Sequence, residues 1–205
     1  MGEMMTGMTT TTTTAGHQIV SFDDEPLILV DEHDNEIGHL LKADAHMGSG
    51  TLHRAFSLFV FNSAGELLLQ QRAAGKRLWG GFWSNTCCSH PRRGETMDIA
   101  IHRRLKEELG FECQFDYLFK FQYQAQFDET GAEHELCWVY AGRSDTAPKV
   151  NANEISAIRW IAPDALDAEI ATRPGQFTPW FKIEWARIRA QHPNVHARQP
   201  APSLA

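Results

Sequence analysis

The stretch Gly94-Glu95-Thr96-Met97-Asp98-Ile99-Ala100-Ile101-His102-Arg103-Arg104-Leu105-Lys106-Glu107-Glu108-Leu109-Gly110-Phe111 decides how the chain is read. Gly94-Glu95-Thr96 opens a helix. Met97, Ile101 and Leu105 recur at four-residue steps on one face, and Gly110 sits just past the end as a stop signal. An apolar helix face needs a partner, and strand signals surround it. Upstream, residues 27–30 and 37–41 flank the polar turn Asp34-Asn35-Glu36, and residues 55–61 and 66–71 flank Asn62-Ser63-Ala64-Gly65 as a hairpin. Downstream, residues 117–125 and 135–141, rich in aromatics and valine, flank the turn Asp128-Glu129-Thr130-Gly131 as a second hairpin. A last strand is expected at 157–161, and Pro163 and Pro179 each stand where a helix can begin. With no internal repeat, the expected fold is α/β of the α+β type, a mixed β-sheet core flanked by helices.

The chain has 205 residues and is 42% apolar, enough for one buried core and too little for two ordinary domains. Residues 1–16, with successive threonines from Thr9 to Thr14, offer no apolar period and read as a disordered tail. One domain is expected over 17–191, with a flexible C-terminal tail at 192–205 that frays from Arg198. No window reaches the roughly 18 to 20 apolar residues of a membrane span, and the N-terminus lacks a secretion-signal layout, so a cytoplasmic protein is expected. Cys87, Cys88, Cys113 and Cys137 read as free thiols, because an adjacent pair makes a poor disulfide framework. A net charge of −7 argues against nonspecific nucleic-acid binding. Between Arg72 and Lys106, however, eight Lys/Arg face only Glu95 and Asp98, which suits a small anionic ligand as well as ordinary charge clustering on a solvated surface.

Read backwards from Glu107-Glu108-Leu109-Gly110-Phe111, Glu95, Arg103 and Leu105 fall where the Nudix signature places its glutamate, arginine and apolar residue, and the segment resembles a Nudix box. It departs from the signature at Ser89, where a glycine is usual, and at Arg104, where a glutamate is usual. Arg104 and Glu108 project from one helix face. Exchanging a carboxylate for a guanidinium removes a metal ligand and supplies a planar phosphate grip, better suited to holding a diphosphate than to cutting it. The alternative is an exposed Arg104–Glu108 pair on a solvated face.

His46 and His53 bracket a glycine-containing loop, and His90 precedes Pro91 ahead of the helix. Glu133 and Glu135, two apart at a strand start, point to the same side. A shared metal explains two like charges side by side, and three imidazoles with two carboxylates suit Mn²⁺ or Zn²⁺. Taken singly, each histidine reads as a surface or satisfied core residue sooner than as a ligand. Cys87-Cys88-Ser89-His90 puts two thiols beside a candidate ligand. Such a thiol can be activated by neighbouring cations, or be a small inert hydrophobe.

As a set, Asn85-Thr86-Cys87-Cys88-Ser89-His90-Pro91, Glu133-His134-Glu135-Leu136-Cys137 and the His46–His53 spacing resemble the motifs of type I isopentenyl-diphosphate isomerases, over most of residues 26–185. The resemblance implies a Nudix-like fold and an allylic isomerase working by protonation and deprotonation. It implies that Cys88 is the catalytic thiol, rather than Cys87, and that Glu135 is its acid/base partner across the substrate. His46, His53, His90, Glu133 and Glu135 would bind one divalent ion, and Glu108 a Mg²⁺ that also touches the diphosphate. Lys42, Arg72, Lys76, Ser89 and Arg104 would hold the anion. Tyr123 and Trp180 match an aromatic pair near the hydrocarbon end; without that match they read as a strand residue and a core aromatic. The implied partners are isopentenyl and dimethylallyl diphosphate, with no nucleic acid or membrane, in a monomer or weak homodimer. Two rivals stand beside this reading, a Nudix hydrolase of a nucleoside diphosphate derivative and a noncatalytic metal- and diphosphate-binding module.

Overall fold

The computed structural model describes residues 18–197, so the Thr-rich segment and residues 198–205 lie outside the described residues. In chain order the elements are β1 (Pro26–Val30), β2 (Glu36–Leu41), α1 (Lys42–Ala45), β3 (His53–Phe61), β4 (Leu67–Arg72), β5 (Trp83–Ser84), β6 (Cys87–Ser89), α2 (Met97–Leu109), β7 (Phe115–Asp128), β8 (Gly131–Arg143), β9 (Ile155–Ile161), α3 (Pro163–Thr172) and α4 (Pro179–Gln191). Among the described residues the nine strands form one mixed sheet. Its hub is β3, antiparallel to β1, β4 and β6 and parallel to β8 from His53↔Glu135 to Phe61↔Arg143.

The hub explains its own sequence. Because β3 is covered on both faces, it reads as a nearly unbroken apolar run rather than an alternating one. Phe56, Leu58 and Val60 pack with Ala100, Ile101, Leu105 and Leu109 of α2 on one side. Ala55, Phe59 and Phe61 pack with Trp180, Phe181, Trp185 and Ile188 of α4 on the other. The helix α2 starts where Thr96 accepts a hydrogen bond from the Ile99 N–H and ends at Gly110 in the left-handed region, φ 72°. A side chain at Gly110 would also press on Lys149, 2.9 Å from its Cβ. The helices α3 and α4 each open on a proline, as expected.

Three elements were not anticipated. The strands β5 and β6, two and three residues long, are too short to carry a hydrophobic period, and the same holds for the single turn of α1. At the other end, residues 192–197, expected to begin a flexible tail, include carbonyls of Val195 and Ala197 that each accept from the Arg143 guanidinium at 2.5 Å. No helix among the described residues is long and apolar enough to cross a membrane.

Candidate active site

The short strand β6 settles which thiol faces which way. Its register sets Cys87 opposite Leu58 and Cys88 opposite Ser57, so alternation sends Cys87 into the α2 layer and Cys88 to the opposite face. There Cys88 lines a cavity of about 340 Å³ together with Glu135, Tyr123 and Trp180. Lys42, Arg72, Lys76, Ser89 and Arg104 line the same cavity, as do His46, His90 and Glu133. Two expected site residues, His53 and Glu108, are buried behind the wall rather than on it, 0% and 3% exposed.

Five side chains converge at one end. Ligand atoms of His46, His53, His90, Glu133 and Glu135 all lie within 4.8 Å of one another, whereas Glu108 is not in this group. His46 caps α1, His53 opens β3 directly opposite Glu135, and His90 follows β6. The loop between His46 and His53 is pinned by β7, since Gln124 donates to the Ser49 carbonyl at 2.7 Å and Gln126 to that of Gly48 at 3.1 Å. His46 also accepts, through its carbonyl, the Ala132 N–H at 3.0 Å, and a Cβ on Gly131 would collide with that carbonyl. Sequence reasoning saw Gly131 only as a turn residue, although it lets the Glu133 strand pass against the His46 loop.

The donor set fits a divalent cation. His46 Nδ1 donates to the Lys42 carbonyl at 2.6 Å and His53 Nδ1 to that of Thr51 at 2.7 Å, which turns both Nε2 lone pairs inward. His53 Nε2 and His90 Nε2 face each other at 3.2 Å. His46 Nε2 lies 2.8 Å from Glu133 Oε2, an oxygen that accepts no well-directed hydrogen bond among the described residues. Burial pushes His90 down to about 4, so it is a neutral imidazole at ordinary pH. For Glu135, burial acts upward but contacts with His53 and His90 outweigh it and hold the carboxyl well below its usual range. Tyr123 donates its hydroxyl to Glu135 Oε2 at 2.6 Å, and burial beside that carboxylate keeps the phenol protonated far above its usual pKa.

In the same cavity, Cys88 Sγ lies 3.7 Å from Arg72 Nη1. The sequence left open an activated thiol of depressed pKa. The structure gives the reverse, because burial pushes the thiol up to about 12 in spite of Arg72. The Arg72 guanidinium also sits 5.3 Å over the ring of Trp180, which is backed edge-on by Trp79 at 5.3 Å.

At the cationic end the exposed Arg104–Glu108 pair is not found. Both residues are 3% exposed, with Arg104 donating to Glu108 at 2.5 Å, to Glu107 at 3.2 Å, to Glu154 at 3.4 Å and to the Val20 carbonyl at 2.7 Å. Lys76 pairs with Glu154, and Lys42 meets Ser21 and, at 3.9 Å, Glu25. Burial, reinforced by nearby Lys76, lowers Lys42. Glu25 and Glu154 were missed from sequence, since a single glutamate in a loop carries no local signal of its partner. Glu95, by contrast, clamps Arg103 through both oxygens at 2.7 and 2.8 Å, fixing the loop before α2 rather than facing the cavity.

A sheet between helices, with a glutamate of the preceding loop clamping an arginine of α2, defines the class: the family model described as NUDIX domain matches residues 51–181. The chain resembles a Deinococcus radiodurans protein of known structure (TM-score 0.65, 28% identity, 82% of this chain and 99% of that one). A MutT protein from Methanosarcina mazei Go1 shares the fold at 16% identity (TM-score 0.58, covering 69% and 95%). Among curated relatives, the Isopentenyl-diphosphate Delta-isomerase 1 of Photorhabdus laumondii is 45% identical over 170 residues, covering 82% of this chain and 97% of its own. The Isopentenyl-diphosphate Delta-isomerase of Burkholderia multivorans is 46% identical over 175 residues, covering 84% and 99%. The chain belongs to the isopentenyl-diphosphate Delta-isomerase family within the NUDIX-domain proteins.

Proposed function

We propose that this chain interconverts isopentenyl diphosphate and dimethylallyl diphosphate in isoprenoid biosynthesis, as a cytoplasmic enzyme whose catalytic domain spans 17–191. The observation that carries this reading is the shared cavity of Cys88 and the Glu135–Tyr123 pair. An unactivated alkene has no carbonyl to polarise. Moving its double bond requires protonation to a tertiary carbocation and proton loss from a neighbouring carbon, hence two acid/base groups around one substrate. Cys88, protonated at rest, serves one side, and Glu135 with Tyr123 serves the other; their roles exchange for the reverse reaction. The Trp180 face stabilises the cation, by about 2 kcal/mol or more in a desolvated site, and the cation must be shielded from water for the rearrangement to succeed.

Lys42, Arg72, Lys76, Ser89 and Arg104 hold the diphosphate. Glu25, Glu107 and Glu154 pair with Lys42, Lys76 and Arg104 and keep these three cations oriented before the anion arrives. His46, His53, His90, Glu133 and Glu135 would hold one Mn²⁺ or Zn²⁺, which would supply a positive charge beside Glu135. Glu108, paired with Arg104 behind the cavity, would hold a Mg²⁺ together with diphosphate oxygens, the usual way that ion is bound. The chain acts on a small molecule, as a monomer or weak homodimer. The hydrolase alternative, which Glu107 and Glu108 favour, is disfavoured by Arg104, a buried guanidinium where a hydrolase has a carboxylate, and by the histidines and Cys88 that share the cavity. Product analysis after incubation with isopentenyl diphosphate tests the reading. Dimethylallyl diphosphate is expected, while phosphate or monophosphate without it would support hydrolysis.

A further inference from the structure

One buried carboxylate has no part in the chemistry above. Glu184 lies one helical turn beyond Trp180 on α4, so both side chains leave the helix on the same face, toward the sheet. It is 0% exposed. Its Oε1 is 3.4 Å from Cys137 Sγ, and Ser57 Oγ, 3.5 Å from the same sulfur, stands beside the carboxyl. These two contacts are neighbours of the reacting groups. Ser57 is the cross-strand partner of Cys88, and Cys137 follows Glu135 by two residues on the same face of β8. Glu184 therefore links the helix carrying the aromatic wall to the strands carrying the thiol and the carboxylate.

We propose that Glu184 is a positioning residue for the isomerisation: as an uncharged carboxylic acid it fastens the Trp180 turn of α4 to Ser57 and Cys137, holding the aromatic wall in register with Cys88 and Glu135. The proposal rests on the isomerase reading. The surroundings require the acid to be neutral. The titratable groups facing it are Cys137, Glu135 and Cys88, no lysine, arginine or histidine among the described residues pairs with it, and its Oε2 has no partner there. Burial accordingly pushes its carboxyl up to about 8. An isolated carboxylate in such a place would be severely destabilising, whereas a neutral acid, or an amide of the same shape, is not.

The test compares the unaltered chain with Glu184→Gln, Glu184→Leu and Ser57→Ala, each checked for folding by circular dichroism, with kcat and KM measured on isopentenyl diphosphate. Because the diphosphate grip lies on other elements, Glu184→Leu is expected to lower kcat by about tenfold to a hundredfold through misplacement. KM should stay within about twofold. Glu184→Gln is expected to keep kcat near that of the unaltered chain. A Gln variant as impaired as the Leu variant, or a folded Leu variant with unaltered kcat, overturns the proposal. If the Leu variant does not fold, Ser57→Ala decides: a lowered kcat at unchanged KM supports the link, and an unchanged kcat refutes it. Absence of turnover by the unaltered chain overturns the isomerase reading and this proposal with it; turnover with an unimpaired Leu variant overturns this proposal alone.

Discussion

Adjacent cysteines with opposite surroundings give the sharpest residue-scale contrast. Cys87 is wholly buried against α2, and Cys88 opens on the cavity. Cys88→Ala is expected to abolish turnover with little change in melting temperature. Cys87→Ala is expected to cost about 1 kcal/mol of stability and to leave kcat largely intact; equal losses of activity would refute the assignment. The choice of Cys88 was available from the resemblance, but its physical cause, the period-2 alternation of β6, was not legible because a three-residue strand leaves no pattern. Arg104 shows the opposite case. The residue type pointed to a cationic end of the cavity, whereas its burial among Glu107, Glu108 and Glu154 depends on a loop some fifty positions away and could not be read locally. Arg104→Gln strands those carboxylates, so it is expected to lower unfolding free energy by about 3–5 kcal/mol in a urea titration. An unchanged midpoint would show that the cluster contributes no net stability.

At the scale of elements, the long ones were readable and the short ones were not. The 13 residues of α2 declare themselves by Met97, Ile101 and Leu105 and by Gly110, and β3, β4, β7 and β8 by apolar runs between turn residues. Parallel pairing of β3 with β8, which sets His53 opposite Glu135, joins segments far apart in sequence and has no local signature. The fourth helix carries its own pH signal. Glu184 has a folded-state pKa of about 8, raised chiefly by burial from an ordinary 4.5. The folded state therefore binds this proton more tightly than the unfolded chain does. Its stabilisation is fully present below the unfolded pKa and is lost as pH rises through the folded one. Between about pH 4.5 and 8 the stability difference between the unaltered chain and Glu184→Gln should shift steadily in favour of the variant. Parallel stability curves across that window would contradict a buried, protonated Glu184.

For the whole molecule, the convergence of five side chains able to hold a metal ion, from the α1 end, β3, the β6 end and β8, ties the sheet together around one point. A divalent ion bound there stabilises the folded chain by mass action, about 2.7 kcal/mol at a hundredfold excess over Kd. Chelation is expected to lower the melting temperature and abolish turnover, and added Mn²⁺ or Zn²⁺ to restore both; full activity of metal-free protein would reject the assignment. What joins metal group, cationic end and aromatic wall is the cavity they share, and the claim that it moves a proton between carbons is open to direct observation. Proton NMR of isopentenyl diphosphate in D₂O with the metal-loaded chain is expected to yield dimethylallyl signals with deuterium incorporated from solvent. Cys88→Ala and Glu135→Gln, both folded, should leave the substrate spectrum unchanged. Unaltered vinylidene protons with the active-site residues intact, or phosphate release without any dimethylallyl product, would contradict it.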